Sequence, residues 1–224
     1  MADEASEARF EAYVEALISV IGHADRATPM RDCCAGPLLS VERKSVEPMA
    51  AALAPERTAA KHQSLLHFIG QAAWPDEKVL EKTRALVLPA MTRAAPTRAW
   101  IIDDTAFPKK GRHSIGVARQ YCGQLGKQEN CQVAVTLSVA NDAASLPVAH
   151  RLYLPESWAS DAERRRRAGV PEDVAFKTKP QIALDQIKSA RAAGVPEGAV
   201  LAMATIMSFA LQWPPRGLSM RWGF

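Results

Sequence analysis

Apolar residues at Phe10, Tyr13, Val14, Leu17, Ile18 and Ile21 recur with helical spacing, which predicts a helix with one apolar stripe over residues 10–21. A stretch carrying Pro and Gly, residues 28–37, is expected to interrupt it. Helical spacing returns at Val46–Leu53, at residues 61–73 and at Asp76–Ala94, the last opening on Asp76 and Glu77, acids suited to a helix N-terminus. Pro96 then marks a boundary, so residues 1–95 read as an all-helical region.

Beyond Pro96 the period changes. Ala99, Trp100, Ile101 and Ile102 form a short continuous apolar run of the buried-strand kind, expected to end at Asp103, Asp104 and Thr105. Residues 132–140 alternate, with Val133, Val135, Leu137 and Val139 on one side. Residues 146–154 follow after a turn at Asn141 and Asp142, which predicts an antiparallel hairpin. Ile182, Leu184, Ile187 and Ala190 give a helix over residues 180–193, closed by Gly194 and followed by the apolar run Ala199–Ala202. Strand, hairpin, helix and strand in this order describe an α/β region with a mixed sheet and a helical crossover, residues 96–202.

At 224 residues and 48% hydrophobic content the chain can bury a sizeable core, which argues against gross disorder. No apolar run approaches the roughly 20 residues of a membrane span, and the first residues are too acidic for a secretory signal, so a cytoplasmic location is expected. Cys33, Cys34, Cys122 and Cys131 have neither metal-site nor disulfide-framework spacing and read as reduced thiols. The five histidines are scattered, and His62 and His67 miss the spacing of a helical metal pair. Net charge is only +4, but Lys109, Lys110, Arg112, Arg119 and Lys127 fall in one segment with a single acid, Glu129, at its far end. That segment is either a solvated loop or a surface lying along phosphates. Tyr121 within it is either a packing residue or a platform for a base. Arg164, Arg165, Arg166 and Arg167 sit beside Asp161 and Glu163 and read as a solvated helical face.

Asp103 and Asp104 carry the candidate chemistry. Adjacent carboxylates after a buried strand stand where α/β sheets bind ligands, and strand alternation lets one of the two point into such a site. Their surroundings, Trp100-Ile101-Ile102-Asp103-Asp104-Thr105-Ala106-Phe107-Pro108-Lys109-Lys110-Gly111, resemble the first acidic motif of bacterial insertion-sequence transposases of the DDE superfamily. The similarity continues through Gly116-Val117-Ala118-Arg119-Gln120-Tyr121-Cys122-Gly123, Asn130-Cys131-Gln132, Leu146-Pro147-Val148 and Leu152-Tyr153-Leu154-Pro155. Upstream, His62-Gln63-Ser64-Leu65-Leu66-His67-Phe68-Ile69 and Trp74 are similar to that family's helical region.

The resemblance implies a ribonuclease H-like core in which three acids hold two Mg²⁺ ions for in-line attack on DNA phosphodiesters. Asp104 takes the place of the first acid and metal ligand, with Asp103 in reserve. Lys109, Lys110, Arg112 and Arg119, joined by Lys127 and Tyr121, then become the DNA-contacting set. The implied partners are transposon-end and target DNA and a second transposase chain, with no membrane.

The family pattern puts its second acid after Val200-Leu201-Ala202, where this sequence has Met203, a soft thioether that cannot replace a hard oxygen ligand. The third, a Glu, would fall past Phe224. The expected fold is therefore an incomplete ribonuclease H-like mixed sheet preceded by a helical region, with residues 203–224 an aberrant tail. Two functions are open: a transposase inactive as written, or a non-enzymatic remnant that binds DNA or intact transposase. A reading-frame slip would account for the tail, since restoring one base ahead of the ATG of Met203 yields an aspartate codon.

Overall fold

The computed structural model describes residues 2–202, which divide into two compact units, one running to Leu86 and one starting at Val87. Met203 and the tail, and with them the expected second acid and the frame-slip idea, lie outside the described residues.

The first unit is helical: α1 (Ala2–Ile18), α2 (Ala27–Ala35), α3 (Val46–Leu53), α4 (Thr58–Gly70) and the opening turns of α5 (Asp76–Ala94). The stripe expected on α1 supplies buried Val14 and Leu17, while Ile21 is buried beyond the helix end. Leu17, Ile21, Met30 and Phe68 form the core, and Trp74 stacks on Phe68 with ring centroids 5.7 Å apart. One expectation fails here. Residues 28–37 do not interrupt the helices but supply most of α2, because Pro29 occupies the third helical position, where a missing N–H leaves no bond unmade. Burial of Pro29 and Met30 then favours the helix.

The second unit holds a five-stranded sheet: β1 (Ala99–Pro108), β2 (Ala118–Cys122), β3 (Lys127–Ala140), β4 (Ser145–Leu152) and β5 (Ala199–Ala202). Strand order is β2-β3-β1-β5, with β4 also on β3; all pairings are antiparallel except β1 with β5. Short helices α6 (Glu156–Ala159) and α7 (Ala162–Arg167) lead to the crossover helix α8 (Lys179–Ala192), which ends near Gly194 at φ 70°. Cys131, Val133, Val135, Leu137 and Val139 are buried on one face of β3, as the alternation predicts. Trp100, Ile102 and the α8 residues Ile182, Ala183, Ile187 and Ala190 join the core on that face.

Three features depart from the sequence expectations. β1 does not stop at the aspartates: it pairs with β3 continuously from Ala99↔Ala140 to Pro108↔Cys131, so both acids lie mid-strand. Ala118–Cys122 is a strand rather than a loop, since β3 extends far enough to pair with it. The arginine run is not a uniformly solvated face. Arg164 lies over the Trp158 ring at 3.7 Å, and Arg165 donates to the carbonyls of Ala159, Pro171, Glu172 and Val174, while Arg167 pairs with Glu163.

The unit boundary falls within α5 rather than at Pro96. Leu88 packs into the sheet core, and Asn141 Nδ2 donates to the carbonyls of Met91 and Ala95, which ties the last turns of α5 to the second unit.

Candidate active site and nucleic-acid interface

Alternation along β1 sets the geometry of the two aspartates. Trp100, Ile102 and Asp104 share the face that packs under α8, whereas Asp103 points to the other side with Ile101 and Thr105. Asp103 is engaged locally: its Oδ1 accepts from the Asp104 backbone N–H at 2.8 Å, and its carbonyl accepts from Thr136 Oγ1 at 3.3 Å. Both acids lie just past the stretch Ala99–Ile102 that pairs with β5.

Asp104 Oδ2 lies 2.5 Å from Lys179 Nζ, and the two side chains are 20% and 25% exposed. Lys179 is the first residue of α8. Thr178 and Gln181 form a reciprocal capping box around it and Pro180 follows, so the start of the helix is fixed. The Lys179 ammonium is also 5.6 Å from the Tyr153 ring centroid. Burial, and then Glu156, raises the Tyr153 hydroxyl; burial and Cys122 raise the nearby Cys131 thiol, an effect that Lys179 opposes. Neither Lys179 nor Tyr153 was singled out from sequence. The available signal was a lysine immediately before the predicted helix start, where the dipole disfavours a cation and a partner anion is called for.

A two-ion centre needs several hard oxygen ligands around each ion. Among the described residues no group of three or more His, Cys, Asp or Glu could hold a metal ion, and Asp104 brings one carboxylate already engaged by an ammonium. The described residues therefore do not fit such a centre.

The basic segment is held through its main chain. Asn130 Nδ2 donates to the carbonyls of Lys109 and Gly111 at 2.6 and 2.8 Å, and Lys109 N–H returns a bond to Asn130 O. Gln132 Nε2 takes Ile115 O at 2.6 Å, Trp158 Nε1 takes Val117 O at 2.7 Å, and Arg164 takes Arg112 O at 3.0 Å. Lys109, Lys110 and Arg112 are exposed in this loop.

Lys110, Arg112 and Arg119 converge on one open cleft of about 450 Å³, with Glu129, Asn130 and Arg164 also lining it. Glu129 is held below the usual carboxylate range first by the Asn130 backbone N–H and then by Lys127 and Arg119. Lys127, at the start of β3, pairs with Glu129 at 3.4 Å, and Tyr121 on β2 is 60% exposed; neither lines the cleft. Asp104 does not line it either.

Residues 16–205 match the family model of the DDE superfamily endonucleases, and the chain belongs to that family. The mixed sheet with its crossover helix is consistent with a ribonuclease H-like fold, and members of this superfamily generally use divalent metal ions. The chain is also 34% identical over 140 residues to a probable transposase for insertion sequence element IS701 from Microchaete diplosiphon. That match covers 62% of this chain and 33% of the relative, so the chain accounts for about a third of the relative's length. No helix among the described residues is long and apolar enough to cross a membrane.

Proposed function

We propose that this chain is an insertion-sequence transposase polypeptide that binds DNA in the cytoplasm but, with the residues it carries, neither cleaves nor joins it. The observation that carries this reading is the contrast between its two sites. The basic loop and β2 expose Lys109, Lys110, Arg112, Arg119 and Tyr121 on a backbone fixed by side-chain bonds, which suits phosphate contacts at low ordering cost. Lys127 contributes less because Glu129 already balances it.

At the other site Asp104 faces an ammonium, Asp103 points away, and the residue following Ala202 is Met203. Asp104 is the family's first acid in this reading, and Mg²⁺ the ion an intact relative would use there. The helical region, residues 1–95, is assigned to the transposon end, with a second transposase chain as the other partner.

Fluorescence anisotropy with a labelled duplex tests the binding. Affinity should fall steeply with salt, by a slope of about −0.9 per phosphate neutralised, and Lys109→Glu/Lys110→Glu should reduce affinity by at least about tenfold while flattening that slope. No binding at low salt would overturn the reading. Incubation of the chain with supercoiled plasmid and Mg²⁺ or Mn²⁺ should give no nicks; nicking lost in Asp104→Ala would establish the enzymatic alternative.

A further inference from the structure

We propose that Arg164 of α7 binds DNA directly, placed so that one phosphate of a DNA strand bridges its guanidinium and that of Arg112. The inference rests on the reading of the basic loop as a DNA surface, and extends that surface to a residue 52 positions further along the chain.

Two clefts of the second unit meet at these side chains. One, of about 450 Å³, is the cleft on which Lys110 and Arg119 converge; the other, of about 460 Å³, is lined by His113, Trp158 and Arg167 among others. Arg112 and Arg164 line both. Two guanidinium groups so placed repel unless an anion stands between them. The acids nearby are committed elsewhere: Glu129 pairs with Lys127 at 3.4 Å, Glu163 with Arg167, and Asp161 Oδ1 accepts from the Arg164 backbone N–H. Lys110, Arg112, Arg119 and Arg164 outweigh Glu129 in the first cleft, whereas Asp161 and Glu163 nearly balance the second. The phosphate therefore lies toward the first.

Arg164 is half-buried and is held before any ligand arrives, unlike the exposed Lys109 and Lys110. Its Nη2 donates to Arg112 O at 3.0 Å and to Val117 O at 3.5 Å. Its guanidinium carbon lies 3.7 Å from the centroid of the Trp158 ring, which is fully buried and fixed in turn by Nε1 donating to Val117 O at 2.7 Å. Nε and Nη1 have no partner among the described residues, so donors remain for a phosphate oxygen. A donor already ordered gives up little rotamer freedom on binding. Within the arginine run, Arg165 spends its donors on four carbonyls, Arg167 pairs with Glu163, and Arg166 lines neither cleft. Arg164 is the member placed to meet a phosphate.

The test is fluorescence anisotropy of the full chain with a labelled duplex across a salt series, with circular dichroism as the folding control. Arg164→Gln should lower affinity by about tenfold and flatten the salt slope by about 0.9, the share of one phosphate. Arg164→Lys keeps the charge and should keep the wild-type slope. Arg166→Gln removes a charge from the same helix and should leave both affinity and slope unchanged. Arg164→Gln indistinguishable from Arg166→Gln, or Arg164→Lys matching Arg164→Gln as a role confined to holding the loop requires, overturns the proposal.

Phenylglyoxal footprinting of wild type gives a readout that needs no variant to fold. Saturating duplex should protect Arg164 and Arg112 and leave Arg166 reactive; Arg164 modified equally with and without duplex refutes the contact. A wild type that binds no duplex refutes the DNA reading itself. A wild type weakened by Lys109→Glu/Lys110→Glu but not by Arg164→Gln overturns this inference alone.

Discussion

Asn141→Asp changes one atom and should cost the second unit about 2–3 kcal/mol at neutral pH. In the native side chain every polar atom is used. Nδ2 donates to Met91 O at 2.9 Å and Ala95 O at 2.8 Å, and Oδ1 accepts from the backbone N–H groups of Ala143 and Ala144 at 3.0 and 2.9 Å. The amide thus satisfies carbonyls at the C-terminal end of α5 and shapes the β3–β4 turn at once. A carboxylate keeps the accepted bonds and turns both donated ones into oxygen–oxygen contacts. Two lost bonds contribute about 1 kcal/mol each, and a negative charge at a helix C-terminus adds about 0.5 kcal/mol.

Because the fold disfavours the charged form, the introduced carboxylate has a folded pKa above its unfolded value of about 3.9. Its penalty is complete above the folded pKa and relieved as pH falls through that value toward the unfolded one. Urea unfolding and amide exchange in the last turn of α5, each compared with wild type at the same pH, measure it. A variant within about 0.5 kcal/mol of wild type at neutral pH, or one whose deficit does not shrink on acidification, would refute the reasoning.

Gly116 adopts φ 75°, and a Cβ there would lie 2.7 Å from the Tyr153 carbonyl, so Gly116→Ala should lower stability by more than about 2 kcal/mol; an unchanged melting temperature would contradict this. Burial, helped by Cys34 and Asp32, pushes the Cys33 thiol up to about 11. Iodoacetamide should therefore modify Cys33 at neutral pH at least about tenfold more slowly in the native chain than in urea, and equal rates would discount the shift. The sign for stability follows: this thiol's contribution is intact below its ordinary value of 9.0 and is lost as pH rises from there toward about 11.

Legibility in the sequence tracked how strongly local chemistry announced each element. α3 and α5 fall where periodicity and the acids Asp76 and Glu77 put them, and α8 starts one residue early because Thr178 caps it. α2 was missed because Pro29 and Gly36 look like breakers unless their positions relative to the helix ends are known. β2 was missed because its five residues are half exposed and flanked by glycines; only its pairing with the long β3 makes it a strand. The Asp103/Asp104 alternation was readable from the strand period. Lys179 was not, since a contact across 75 positions leaves no local trace beyond an awkward charge at a helix start. The arginine run misled for a related reason: Arg164 spends a donor on the distant Arg112 carbonyl and Arg165 on carbonyls of the segment just after its own helix, which composition does not reveal.

The loop bearing Lys109, Lys110 and Arg112 is gripped by its main chain, mostly through carbonyl oxygens that accept from Asn130, Gln132, Trp158 and Arg164. Every amino acid offers the same carbonyl, so the loop's path does not depend on which side chains it displays. Charge, size and hydrogen-bonding character at 109, 110 and 112 are free to drift without disturbing the frame. If the rim contacts phosphates as proposed, its side chains can change the strength of that contact while Asn130 and Arg164 stay fixed. On the proposed reading, contacts to DNA at 109, 110 and 112 and the architecture that presents them are thereby carried by different residues.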